Sequence, residues 1–311
     1  MTTRIAINGF GRIGRNVLRA LLESDRNDLE IVAINDLAPT DNLAHLLKYD
    51  SVHGRFNGKI TATENSIDIG NGPIEVTAIR NLEDQNWADN KVDIVMECTG
   101  IFRARDDAAK HLNAGAKRVL ISAPGKNSDK TIVYGVNHDS LSKDDLIVSN
   151  GSCTTNALAP IAKILNDHFE IKNGFMTTVH SYTGAQPTLD RVNRKDFNRG
   201  RAAAMSMVPT TTGAAKAIGL VLPELMGKLD GKAIRVPTPN VSIVDLSINV
   251  KKATSVEEIN DVFRAAAAKG ALKNIIQVIE DKVVSIDMNH DPHSSSLVLS
   301  LIHISEPTRP Y

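Results

Sequence analysis

The chain has 311 residues, enough for two domains and a sizeable core. Its 36 basic and 36 acidic side chains cancel, so charge gives no case for a nucleic-acid or membrane partner. Two cysteines, Cys98 and Cys153, are too few for a disulfide framework and point to a reducing compartment, the cytoplasm. Met1-Thr-Thr-Arg-Ile runs straight into a strand-like segment, with no signal-peptide pattern and no apolar run of bilayer length.

In chain order, RIAING (4–9) reads as a short buried strand and RIGRNVLRALLES (12–24) as a helix with apolar residues at helical spacing. LEIVAIND (29–36), VDIVMECTG (92–100), RVLISAP (118–124) and LIVSN (146–150) are further strands, and RDDAAKHLNAG (105–115) is a helix between two of them. Strand–helix alternation with continuously apolar strands predicts a parallel sheet covered on both faces. Residues 55–79 break this pattern: two Asn-Gly pairs between β-rich runs signal antiparallel hairpins. After Cys153, TTNALAPIAKILNDHF (154–169) is a helix and GFMTTVHSYTG (174–184) a strand. A polar segment fills 185–206. TGAAKAIGLVLPEL (212–225) and SVEEINDVFRAAAAKG (255–270) read as helices, RVPTPNVSIVDLSINV (235–250) and KVVSIDMNH (282–290) as strands. Long strands with few helices predict an α+β domain with a mainly antiparallel sheet, and the domain boundary falls near 150.

Gly9-Phe10-Gly11-Arg12-Ile13-Gly14 is a G-x-G-x-x-G that follows a predicted strand and opens a predicted helix. A second strand ends in Asn35-Asp36, 22 residues past Gly14. That is the context the dinucleotide fingerprint requires, and it makes the first half an α/β Rossmann domain. Gly9 permits the tight turn, Gly11 admits a pyrophosphate, and Gly14 lets helix and strand pack closely. Asp36 is placed to accept hydrogen bonds from ribose hydroxyls, which favours NAD over NADP. A Walker A loop is excluded, because Gly125-Lys126 lacks both the upstream glycine and the following hydroxyl.

VSNGSCTTNA (148–157) sets Cys153 between a strand and the first turn of a helix. The helix dipole there favours a thiolate, and free N–H groups can hold an oxyanion. His180 on the next strand would supply a base. Read alone, Cys153 is either this nucleophile or a small buried residue, and His180 either its base or a satisfied core histidine. Ser152, Thr154, Thr183, Arg199, Thr212 and Arg235 are candidate anion-binding groups, and Thr212-Gly213 opens a helix. No spacing of His, Cys, Asp or Glu suggests a metal site.

INGFGRIGR (7–15), SNGSCTTNALAP (149–160), VHSYTG (179–184), TGAAKAIG (212–219) and RVPTPNVSIVDL (235–246) together resemble the phosphorylating glyceraldehyde-3-phosphate dehydrogenases. The resemblance runs in one register from residue 2 to about 296. It implies NAD as cofactor, an aldose phosphate and inorganic phosphate as substrates, Cys153 as nucleophile and His180 as acid/base. It implies that Arg12, Ile13, Thr99 and Ser122 line the cofactor cleft beside the three glycines, with Asn35 and Asp36 on the adenosine. Thr183 and Arg235 match the site for the substrate phosphate. Ser152, Thr154, Arg199, Thr212 and Gly213 match the site for the attacking phosphate. A homotetramer follows as well, with the arginine-rich 190–201 in its interface loop. The expected domains are 1–152 for the cofactor and 153–298 for catalysis.

The chain departs from the family at its end. The family continues past IDMNHDPHSSS (286–296) with a strand, a Trp-Tyr-Asp-Asn-Glu segment and a last helix, whereas LSLIHISEPTR (299–309) resembles a translated sequencing adapter. The expectation is that 299–311 is non-native and that the chain as written is unstable or poorly active. Erythrose-4-phosphate dehydrogenase is the competing member of the family, a catalytically impaired NAD-binding fragment is a second alternative, and RNA binding has no support from charge.

Overall fold

The computed structural model describes residues 2–194 and 196–303. The chain forms two compact units, one of residues up to 132 plus 140–152, the other of 133–139 plus the residues from 153 on.

The first unit is built on β1 (Thr3–Asn8), α1 (Arg12–Leu22), β2 (Leu29–Asn35) and α2 (Thr40–Lys48). The short β3 (Tyr49–Asp50), β4 (Gly54–Arg55), β5 (Thr61–Ala62), β6 (Ser66–Asp68) and β7 (Pro73–Thr77) follow, then β8 (Ile94–Glu97). After α3 (Arg105–Ala108) and α4 (Lys110–Asn113), β9 (Arg118–Ile121), β10 (Lys130–Thr131) and β11 (Ile147–Ser149) complete it. The nine-stranded sheet has the order β10-β11-β9-β8-β1-β2-β7-β6-β5. Pairing is parallel from β10 through β7 and antiparallel in the hairpins β5–β6–β7. Asn71-Gly72 turns the β6–β7 hairpin, whereas Asn57-Gly58 lies between β4 and β5, which do not pair with each other. Both faces of β1 are covered. Ile5 and Ile7 pack with Phe10, Leu18, Ile34 and Leu47, while Ala6 packs with Ala33, Trp87 and Val95. Strand order reverses between β1 and β8, which opens a crevice at their C-terminal ends.

The second unit contains α5 (Cys153–Phe169), β12 (Ile171–Ser181), β13 (Val208–Thr211), α6 (Ala214–Val221), β14 (Leu229–Val236), β15 (Ile243–Val250), α7 (Val256–Ala268), β16 (Ile276–Ile279) and β17 (Ser295–Val298). Its four-stranded sheet has the order β13-β14-β12-β15. The outer pairings are antiparallel, as expected, but the central pair β12–β14 is parallel, joined by the crossover that carries α6. The core gathers Leu158, Ala162, Leu165 and Phe169 of α5 with Ile218, Val221, Leu225 and Phe263.

Three expectations need correction. KVVSIDMNH is not a strand. It turns through a 3-10 helix at Ser285–Met288, because the Val284 N–H donates to the Asp287 carboxylate at 2.8 Å and the Asp287 N–H returns to the Val284 carbonyl at 3.0 Å. Its alternating apolar residues Val284 and Ile286 are exposed, so they mark no buried face. The helix 105–115 is broken at Ala109 into α3 and α4. Residues 133–139 belong with the second unit, not the first. Val133 is fully buried in the second core, and Gly135, at φ +83°, lies so close to Ala271, Leu272 and Ile275 that a Cβ would meet them at 3.0–3.1 Å. Of the end segment 299–311, Leu299 is buried in the second core with Ile302 against it, and 304–311 lie outside the described residues.

Candidate active site

α5 begins at Cys153, with no acidic residue in its first turn, so the thiol sits where the helix N-terminus presents positive potential. β12 brings His180 to it: Nε2 lies 3.3 Å from Sγ. His180 is itself nearly buried, whereas Cys153 opens to solvent on one side. Packing around the thiol pushes its pKa up. The hydrogen bond to His180, the charge on that ring and the amide and hydroxyl of Thr154 outweigh this and hold it below the usual thiol range. The other cysteine behaves oppositely. Cys98 is buried, and burial drives its pKa up to about 11, with Ser122 lowering and Glu97 raising it by smaller amounts. One thiol is held down and the other is pushed up.

The second nitrogen of His180 has two suitors. Nδ1 lies 2.7 Å from the Ser181 carbonyl and 2.7 Å from Arg235 Nη1. A carbonyl only accepts and a guanidinium only donates, so Nδ1 serves one at a time. With its proton on Nδ1, the ring donates to Ser181 and turns a bare Nε2 toward Cys153. With Nδ1 accepting from Arg235, Nε2 carries the proton toward sulfur. These are the two states that a base and an acid need. Arg235 is placed for this by register, since it stands opposite His180 across the parallel β12–β14 pair. Its Nη1 also donates to the Ser181 carbonyl at 3.0 Å, while its buried Nε has no partner among the described residues. Burial lowers the Arg235 pKa, the charge of Cys153 raises it and that of Arg199 lowers it further, so both arginines bear on this one site. Ser242, which the sequence reading missed, accepts the Ser181 N–H at 3.1 Å and so fixes the end of β12.

The other anion candidates fall out unevenly. Thr154 is buried in the first turn of α5. Arg199 is held by Asp196 at 3.0 Å and donates to the Thr211 carbonyl at 3.1 Å, which sets it beside the turn that starts α6. Thr212 accepts the Ala214 N–H, and Gly213 caps α6 with open space where a Cβ would stand. The exposed Thr183 gives both its N–H and its hydroxyl to Gln186, so it must exchange that partner to meet a ligand. Ser152 closes the first unit, ahead of Cys153.

In the first unit the loop fits a dinucleotide. Gly9 adopts φ +91°, and its missing Cβ would lie 2.7–2.9 Å from Thr99. Gly14 has no room for a side chain either: a Cβ would meet the Gly9 carbonyl oxygen at 2.3 Å. Where a Cβ would stand at Gly11, no other described residue lies within 4 Å, which leaves space for a pyrophosphate at the N-terminus of α1. Arg12 and Ile13 are exposed on that first turn. Asp36 accepts from the Phe10 N–H at 2.7 Å and the Ala38 N–H at 3.0 Å, which leaves lone pairs on both oxygens for ribose hydroxyls. Ser122 donates to the Glu97 carbonyl at 3.0 Å. The side-chain amide of Asn35 is engaged by Asn8, Ile79 and Thr77 and braces the end of β2 at the crevice. Among the described residues, no group of three or more His, Cys, Asp or Glu could hold a metal ion, and no helix is long and apolar enough to cross a membrane.

Both halves match known family models. Residues 3–105 match the NAD binding domain of glyceraldehyde 3-phosphate dehydrogenase, and residues 152–307 match its C-terminal domain. The chain belongs to the glyceraldehyde-3-phosphate dehydrogenase family. It is 59% identical over 308 residues to the glyceraldehyde-3-phosphate dehydrogenase of Xanthobacter flavus, covering 99% of this chain and 91% of that protein. It is 62% identical over 295 residues to that of Cereibacter sphaeroides, covering 95% and 87%. With that of Geobacillus stearothermophilus it shares 54% over 298 residues, covering 96% and 88%. The cofactor of this family is NAD, and the first unit has the loop, the open glycine and the terminal carboxylate that such a cofactor requires.

Proposed function

We propose that this protein is an NAD-dependent phosphorylating aldehyde dehydrogenase that converts D-glyceraldehyde 3-phosphate and inorganic phosphate to 1,3-bisphosphoglycerate. The observation that carries this reading is the 3.3 Å pair of Cys153 Sγ and His180 Nε2 at a helix N-terminus, beside Arg235, whose buried Nε has no partner among the described residues. The Cys153 thiolate adds to the aldehyde carbon, and a C–S bond forms as the carbonyl oxygen takes a proton from His180 Nε2. His180 Nε2 then takes the hydroxyl proton as the carbon loses hydride, which leaves a thioester on Cys153. NAD, when bound, supplies the hydride acceptor. An oxygen of inorganic phosphate attacks the thioester carbonyl, the C–S bond breaks, and Cys153 leaves as thiolate with the acyl phosphate as product.

The nucleophile needs an anion site on each side of it. Arg235 and Thr183 serve the substrate phosphate. Arg199, Thr154, Thr212, Gly213 and Ser152 serve the attacking phosphate. Residues 1–132 and 140–152 carry the cofactor, and 133–139 with 153–298 the chemistry, in the cytoplasm. The 185–207 segment exposes Leu189, Val192, Phe197, Met205 and Met207, the kind of apolar surface a homotetramer covers.

Steady-state assays with glyceraldehyde 3-phosphate and erythrose 4-phosphate, each with and without inorganic phosphate and with NAD or NADP, test this reading. The expected result is NAD reduction that requires phosphate and prefers the three-carbon aldehyde. Full-rate oxidation without phosphate would remove the acyl-phosphate step. Sedimentation at a four-chain mass tests the assembly.

The lowered pKa of Cys153 makes a separate prediction. Thiolate forms as pH rises through that value, so alkylation of Cys153 speeds up below the range of an ordinary thiol. In His180→Asn the hydrogen bond and charge are gone, and the midpoint of the rate–pH curve moves up. An unmoved midpoint would show that His180 does not activate the thiol.

A further inference from the structure

Glu97 ends β8 at the point where strand order reverses, and its side chain is completely buried. A carboxylate in such a place is costly unless it is fully hydrogen-bonded. Here it is. Oε1 accepts from the Thr99 N–H at 2.9 Å and from the Thr99 hydroxyl. Oε2 accepts from Asn8 Nδ2 at 2.6 Å and from His111 Nε2 at 3.1 Å. The His111 tautomer is fixed from behind. Trp87 Nε1–H can only donate, and it lies 3.0 Å from His111 Nδ1, so that nitrogen is the acceptor and Nε2 carries the proton to Glu97. Asn8 is held in turn by Asn35, whose own carbonyl takes Thr77 Oγ1 and the Ile79 N–H. A continuous polar layer thus crosses β8, β1, β2 and β7 at the end of the sheet that faces the dinucleotide crevice.

The two oxygens of Glu97 grip the two sides of that crevice. Oε2 holds Asn8, the residue before Gly9. Oε1 holds Thr99, the residue against which Gly9 is seated so closely that no Cβ fits. The phosphate loop and its opposite wall are therefore tied to one carboxylate. We propose that Glu97 is a positioning residue for NAD, which sets the spacing of the Gly9 turn and Thr99 through its four hydrogen bonds, with His111 holding Oε2 in place. This rests on the cofactor of the family, and extends the site to residues that do not touch the ligand.

The test measures NAD affinity of the full chain by calorimetry, apart from turnover. Glu97→Gln puts an NH2 where an acceptor must be and is expected to weaken NAD binding by roughly tenfold or more, since it breaks charge-assisted bonds. The alkylation rate of Cys153 without NAD should stay unchanged, which a general loss of structure would not allow. His111→Gln keeps one donor for Glu97 and one acceptor for Trp87, and should bind NAD within about twofold of the parent. His111→Leu keeps neither and should bind several-fold more weakly. If Glu97→Gln does not fold, the two His111 variants decide the matter. Equal NAD affinity in folded Glu97→Gln and parent, or in His111→Leu and His111→Gln, overturns the proposal. A parent chain that binds no NAD would instead overturn the cofactor assignment.

Discussion

Cys153→Ser is expected to lower kcat by roughly ten-thousand-fold or more, the scale seen when a covalent nucleophile or its partner is removed. The hydroxyl that replaces the thiol ionises far less readily, and neither the helix N-terminus nor His180 at 3.3 Å can close that gap. The loss should fall on turnover alone. Cys153 is solvent-open on one side and belongs to no core cluster, so the melting temperature and the NAD affinity should stay close to the parent. Single-turnover NADH formation reads the chemistry and calorimetry reads the cofactor. A serine variant that still reduces NAD within a hundredfold of the parent would show that the covalent step lies elsewhere.

Gly14→Ala makes the second large prediction, at the other end of the reaction. The new methyl would stand 2.3 Å from the Gly9 carbonyl oxygen and 2.9 Å from Ile7 Cγ2. The carbonyl cannot swing aside, because Gly9 is fixed by its N–H to Asn35 and by its seat against Thr99. The helix α1 must back away from β1. A destabilisation of about 1–3 kcal/mol is expected from the overpacking, with NAD affinity falling by more than tenfold as the loop opens. Gly11→Ala is the matched comparison. Its methyl meets no other described residue within 4 Å, and the position has an ordinary φ of −69°. It should keep most of its stability and still bind NAD poorly, because only the ligand meets the methyl. Denaturant melts and calorimetry on the two variants check this. Equal stability loss in both would contradict the packing argument.

Much of the first unit was legible because its signals are local. The glycine spacing, the apolar strands and the Asn71-Gly72 pair each report a backbone requirement that one residue meets or fails. Cys153 at a strand-to-helix junction was legible for the same reason. The parallel β12–β14 pair was not, since its partners lie some fifty residues apart and only the crossover decides their direction. KVVSIDMNH misled because alternation was read without knowing that Val284 and Ile286 face water and that the Asp287 side chain closes a turn there. Asn35 has a duty that its position beside Asp36 does not show: its amide is engaged by three residues, two of them on neighbouring strands. Glu97 and His111 left only a faint mark: a charge at the end of an apolar strand and a histidine among alanines and a leucine. Their meaning depends on meeting each other, Asn8 and Trp87 in space.

The short excursion at 133–139 has a consequence for anyone who recombines genes of this family. Val133 and Gly135 finish the core of the second unit against Leu272 and Ile275, although they are encoded ahead of residues 140–152 of the first. A chimera joined at 152/153 would take Val133 and Gly135 from one parent and Leu272 and Ile275 from the other. The junction that looks cleanest along the chain therefore mixes parents inside one hydrophobic core. A working exchange has to carry 133–139 together with the C-terminal segment, as an insert of its own.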